Sequence, residues 1–193
     1  MRKVPFLPLL LAGAALLAAP TTAFADSPRQ FLEKALRGDN SEIMLGRMAA
    51  DRARSQAVRD FARTLVRDHS EARADVLRVG SRMGLRPTRD INDEAREMRD
   101  QLTYTRGREF DRIFINHMVD DHRHDIEAFR DEARERHGPV SDLAQRQLPT
   151  LQKHLDMAIA LDRSNDRRAD RDGNYRDGNY RDGNGRDENW RDR

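Results

Sequence analysis

The chain has 193 residues, no cysteine, six histidines, and 36 Lys and Arg against 34 Asp and Glu, for a formal charge of +2. Without cysteine it can build neither a disulfide framework nor a thiolate metal site, and it has no cysteine nucleophile. Arginines and carboxylates are interleaved throughout, which excludes the one-signed stripe that nucleic-acid binding needs, so no nucleic acid is expected as a partner.

Residues 1–25 read as an address. Arg2 and Lys3 form a short positive start, "FLPLLLAGAALLAA" is an apolar run too short to span a bilayer comfortably, and Ala23-Phe24-Ala25 fits the small-x-small cleavage pattern. A signal peptide cleaved after Ala25 is expected, leaving a mature chain of zero formal charge. No later segment is apolar enough to span, so the mature chain is expected to have no transmembrane span and to be periplasmic or otherwise exported.

Every strong pattern from Ser27 to Arg163 is helical. Ser27-Pro28 is a cap followed by proline at the first helical position. Phe31, Ala35, Gly38, Glu42, Leu45 and Ala49 then recur at spacings of three and four. A second helix is predicted from about Ser55 to Met83, with Val58, Phe61, Leu65, His69, Ala72, Val76 and Val79 on one stripe. A shorter helix follows near Asn92 to Tyr104. Gly107 breaks before a long helix that aligns Phe110, Phe114, Met118, His122, Asp125 and Phe129. "HGPVSD" (137–142) is a turn, with His137 expected in solvent. The last helix carries Leu143, Gln147, Leu151, His154, Ala158 and Leu161. Four long helices and one short one imply an all-α fold, a four-helix bundle with a short extra helix in its single crossover connection, over residues 26–163.

Residues 164–193 form a different kind of segment. From Arg171 the text repeats "RDGNY RDGNY RDGNG RDENW RDR", with no apolar face to bury. A disordered tail is expected, one that could contact the envelope or cell wall through Tyr175, Tyr180 and Trp190.

The two halves of the bundle echo each other. "FARTLVRDHSEARADV" (61–76) and "FINHMVDDHRHDIEAF" (114–129) share Phe, a Val-x-Asp-His cluster and a later apolar residue at equal offsets. The second helix and the long helix after Gly107 are therefore expected to be counterparts.

Helical spacing sorts the histidines. His122 lies four residues after Met118, eight after Phe114 and seven before Phe129, on the apolar stripe, with Asp125 one turn further on. His117 and His124 rotate off that direction and are expected at the boundary or exposed. Asp121 and His124 make an i,i+3 pair on the wetter side. His69 falls between Leu65 and Ala72, His154 between Leu151 and Ala158, and Glu42 between Gly38 and Leu45. Each long helix thus carries one titratable residue on its buried stripe, at a depth of roughly 18–24 Å from the nearest turn, the middle of the bundle. Buried polar groups need partners. These can satisfy one another as a structural network, or Glu42, His69, His122 and His154, with Asp125 as a further candidate, can ligate Fe, Zn, Cu or Mn.

Three segments, "EIMLGRMAADRARSQAVRDFARTLVRDH" (42–69), "FDRIFINHMVDDHRHDIEAF" (110–129) and "LPTLQKHLDMAIAL" (148–161), resemble the exported ferritin-like domains of the domain-of-unknown-function 4142 family. The resemblance implies a helical bundle in the bacterial envelope and implies little chemistry. The di-iron plan of ferritin-like proteins is not matched. It requires Glu three residues before its histidines, and here Val66, Val119 and Leu151 stand before His69, His122 and His154. With no phosphate loop and no nucleophile elbow, two readings stay open. One is a non-catalytic binding or stress-related module with a structural polar core. The other is a metal-binding, redox-capable bundle with a His-rich site at mid-height.

Overall fold

The computed structural model describes residues 26–135 and 138–181. The expected signal peptide, His137 and the last repeats of the tail lie outside the described residues.

Helix α1 spans Pro28–Arg52. Ser27 starts it with a reciprocal cap: its hydroxyl accepts from the Gln30 N–H while the Gln30 side chain accepts from the Ser27 N–H, so two otherwise orphaned amides are satisfied. Helix α2 spans Gln56–Gly80. Its Ser55 makes no side-chain cap; instead the buried carboxylate of Asp111, from a distant helix, accepts from the N–H groups of Arg54 and Ser55, both at 2.8 Å. A 3₁₀ turn, Ser81–Met83, closes at Gly84 with φ +75°. The sequence extended the second helix to Met83. The chain tightens earlier because Leu85 folds back on Gly80, where a Cβ would come within 2.5 Å of the Leu85 side chain. Helix α3 spans Asp93–Tyr104 and is capped by Asn92, whose side-chain Oδ1 accepts from the Ala95 N–H. Helix α4 spans Gly107–Glu135 and helix α5 spans Pro139–Arg181. No strand occurs among the described residues.

The four long helices form a ferritin-like four-helix bundle. Helix α1 pairs with α2 and α4 with α5, and the circuit closes through α2–α5 and α1–α4, so α2 and α4 stand diagonally opposite. The crossover carrying α3 returns the chain along the bundle, which makes α2 and α4 run parallel. Two residues of α1 hold that crossover down. Asn40 donates to the carbonyls of Thr88 and Asp90, and the Ser41 hydroxyl accepts from the Asn92 N–H.

The core comes in two blocks. One gathers Leu45, Phe61, Leu65, Phe110, Phe114 and Met118 near the α1 C-terminus. The other gathers Phe31, Leu36, Val76, Ile126, Phe129 and Leu143 at the opposite end. Residues 39–42, 68–69, 121–125 and 154 occupy the level between them. The expected stripes of α2, α4 and α5 are buried or half-buried throughout. That of α1 is shifted in its first half: Leu32, Leu36 and Asp39 are buried, whereas Ala35 and Gly38 are half-buried. This helix packs on α2, α4 and the crossover, so it buries a wider arc than one stripe.

Helix α5 continues past residue 163 to Arg181, through Asn165 and into the repeats that the sequence read as tail. Extending a helix already nucleated in the bundle needs only one hydrogen bond per added residue.

Candidate metal centre

Glu42, His69, His122 and His154, one from each long helix, all reach the level between the two apolar blocks. The three imidazoles come together. One ring nitrogen from each lies within 4.8 Å of the others, and ring centroids are 5.2–5.8 Å apart. His122 and His154 are fully buried and His69 nearly so. Glu42 is also buried, 1% exposed, but stands beside the trio, with its carboxylate 3.7 Å from the Nδ1 of His122.

The hydrogen bonds dictate which nitrogens carry protons. His122 Nδ1 lies 2.9 Å from the Met118 carbonyl, which can only accept, so Nδ1 carries the hydrogen and Nε2 presents a lone pair. His154 Nε2 lies 2.9 Å from the carboxylate of Asp68, so Nε2 donates and Nδ1 presents a lone pair. His69 Nδ1 lies 2.9 Å from Asp39 and donates to it when that carboxylate is ionised, leaving Nε2 bare; Nε2 has no hydrogen-bond partner. The free nitrogens of His122 and His154 face each other at 3.2 Å. With both rings neutral, that contact sets lone pair against lone pair. It needs a cation between or beside the two nitrogens, either a proton or a metal ion.

Electrostatics disfavours the proton. Burial pushes His122 well below the ordinary histidine range, and the neighbouring His69 and His154 add to the effect. Burial also pulls His154 down to about 4, against the opposing bond to Asp68. The Asp68 carboxyl is held low overall, since its bonds to His154 and Arg67 outweigh the burial that would raise it. Two neutral imidazoles set 3.2 Å apart match the roughly 3.3 Å between nitrogens that each sit about 2.0–2.1 Å from a tetrahedral ion. Outer carboxylates bonded to the distal ring nitrogens, Asp39 behind His69 and Asp68 behind His154, are the usual support for imidazole ligands.

The Glu42 side is different. Neither of its oxygens meets a hydrogen-bond donor among the described residues. Burial raises its carboxyl well above the usual range, and Asp121, Asp125 and Asp39 raise it further. Asp125 is half-buried. Its carboxyl is pushed up to about 7, by burial first and then by Asp121. Asp39 is raised by burial in spite of its bond to His69.

A cleft of about 290 Å³ opens between α2 and α5, with Asp39, His69, Asp125 and His154 at its floor and Arg67 and Lys153 at its rim. His117 is half-buried and His124 exposed, outside the trio, as their rotation implied. Asp121 and His124 make no hydrogen bond or ion pair among the described residues, and Asp121 instead raises the carboxyl of Glu42. Sequence reasoning missed Asp39, Asp68 and Asp121 as partners of the buried residues. Each precedes a stripe residue by one or three positions, the only local signal available.

The sequence matches the family model described as Domain of unknown function (DUF4142) over residues 13–161. Among solved structures, the fold is similar to the crystal structure of a DUF305 protein from Streptomyces coelicolor described as secreted, with a TM-score of 0.61 at 14% identity, covering 74% of this chain and 96% of the other. No curated protein matches the chain.

Proposed function

The chain belongs to the DUF4142 family, and from its own side chains we propose that it is an exported, non-catalytic helical-bundle module that holds a late first-row transition ion on His69, His122 and His154. The observation that carries this reading is the pair of lone-pair nitrogens of His122 and His154 at 3.2 Å, beside the unpartnered Nε2 of His69. A purely structural network would leave these nitrogens without hydrogens to share, at a cost of about 1–3 kcal/mol for each unsatisfied buried group. Three neutral imidazoles suit zinc and copper well, iron less selectively, and manganese least. Three protein ligands would leave a coordination position for water or a small ligand. Glu42 and Asp125 would tune the charge of the centre and help neutralise the ion.

Export rests on the amino-terminal pattern, and no helix among the described residues is long and apolar enough to cross a membrane. N-terminal sequencing of the exported protein should begin at Asp26.

Loading metal-free protein with zinc and counting bound metal by elemental analysis tests the site. One ion per chain is expected for the wild type, and His117→Ala and His124→Ala should keep it. His69→Ala, His122→Ala and His154→Ala should each lose it. A wild-type chain that retains no stoichiometric metal, with melting indifferent to chelator, would establish the structural network instead.

A further inference from the structure

On the other face of the α1–α2 hairpin, a groove of about 930 Å³ runs between that hairpin and the crossover with α3. Its lining is strongly one-sided in charge. Several arginines elsewhere sit in local pairs with acids one turn away, such as Arg29–Glu33, Arg63–Asp60, Arg112–Glu109 and Arg123–Asp120. The groove gathers five arginines, Arg47, Arg73, Arg89, Arg96 and Arg99, against the single carboxylate of Asp90. Arg96 and Arg99 have acids of their own, Asp93 and Asp100. Arg47 and Arg89 make no hydrogen bond or ion pair among the described residues. Arg73 is fixed in place: its Nε donates to Asn40 Oδ1 at 2.7 Å and one terminal nitrogen donates to the Thr88 carbonyl at 3.1 Å, with no ion pair to a carboxylate. The floor is apolar, formed by Ile43, Met44 and Ile91. No run of the sequence is one-signed; the fold assembles this patch from α1, α2, the crossover and α3.

We propose that this groove binds a multiply charged phosphate-bearing ligand, through the guanidinium groups of Arg47, Arg73 and Arg89. Guanidinium forks match phosphate oxygens in paired hydrogen bonds. Like charges gathered in a concave site repel one another and draw in counter-ions, and the effect is stronger in a cleft than on an open face. The volume lies within the ~300–1,000 Å³ typical of small-ligand sites, and the Ile and Met floor accepts an apolar part of the ligand beside its phosphates. Phosphate could reach the groove as a soluble oligophosphate or as a lipid headgroup. The groove shares no lining residue with the histidine cleft, so the proposal is independent of metal binding.

The test is calorimetric titration of the full chain with inorganic tripolyphosphate. Saturable binding at one site is expected, weakening at least tenfold in Arg47→Gln/Arg89→Gln and unchanged in Arg63→Gln/Arg112→Gln. The first pair makes no hydrogen bond or ion pair within the chain, so its melting temperature should stay close to that of the wild type. Tripolyphosphate that merely strips metal from the histidines would give the same heat in the double variant, and that result overturns the proposal, as does an absence of saturable binding. A parallel arm uses phosphatidylcholine vesicles with or without cardiolipin, whose headgroup carries two phosphates. Retention only on vesicles containing cardiolipin, competed by tripolyphosphate and lost in the double variant, assigns a lipid headgroup. Tripolyphosphate binding without vesicle retention assigns a soluble phosphate. Equal retention of the wild type and the double variant contradicts the site.

Discussion

Helices α2 and α4 run parallel on opposite corners of the bundle, and each brings an Asp-His pair to the central layer: Asp68-His69 and Asp121-His122. The echo ends at the partners. Asp68 reaches across to α5 and bonds His154, a group that can donate, and the pair is satisfied. Asp121 instead acts on Glu42 of α1, a second carboxyl, and the nearby negative charge helps hold Glu42 in its protonated form. One substitution on the facing helix, imidazole in one half and carboxyl in the other, therefore separates a ligand-supporting contact from an electrostatic strain. Near-symmetric backbones can carry asymmetric chemistry when the asymmetry sits on the facing helix.

The comparison can be broken most severely at the imidazoles. Replacing any of the trio by Ala should remove stoichiometric metal, since two remaining nitrogens do not hold an ion that three were arranged for. Next come the supporting carboxylates. Asp68→Asn and Asp39→Asn keep their volume but no longer hold His154 and His69 as firmly in their tautomers. Metal affinity should fall by about 10–100-fold, read by competition with a chelator of known affinity. Asp121→Asn should leave affinity within a few-fold, because Asp121 supports no imidazole. An equal loss from Asp121→Asn and Asp68→Asn would show that the two halves are equivalent after all.

The third test sharpens the strained half. Glu42 and Asp125 have folded-state pKa values above their unfolded ones. Their neutral forms are favoured in the fold, so they contribute stability at low pH that is lost as pH rises through the folded values, about 7 for Asp125. In metal-free protein, Glu42→Gln should raise stability at pH 8 by roughly 1–3 kcal/mol. Asp125→Asn should raise it by less, and neither should help near pH 4. His154 has the opposite sign: depressed to about 4, it contributes stability that is present above roughly 6.5 and lost as pH falls toward 4. Melting curves of the three metal-free proteins between pH 4 and 8 read all three effects. The smallest effect concerns the tail. Removing residues after Asn165 should shift the melting temperature by no more than a degree or two, because the repeats offer no apolar face; a loss of several degrees would mean that the segment docks on the bundle.

The sequence carried the helices, the crossover and the level of the four buried groups, because a 3.6-residue period reports which side of one helix faces inward. It could not report what faces it from another helix. Asp68 lies off its own stripe and reaches His154 only because α2 and α5 are neighbours. Asp39 was hidden in a run, Asp39 to Glu42, in which four consecutive polar residues are buried for two purposes: the outer pair serves the central layer and Asn40-Ser41 holds the crossover. Glu42 was placed at the correct depth, but its position beside His122 rather than within the imidazole trio depends on helix rotation finer than the period resolves. The arginine groove was invisible for the same reason, since its charges come from four separate segments.

The most direct measurement is X-ray absorption at the zinc edge of the loaded wild-type protein, which counts the imidazoles around the ion. Three imidazole nitrogens at roughly 2.0–2.1 Å are expected, with one water or other small ligand completing the shell. A shell of oxygens without imidazole scattering would place the ion on the carboxylates or the surface, and would contradict the assignment of His69, His122 and His154 as its ligands.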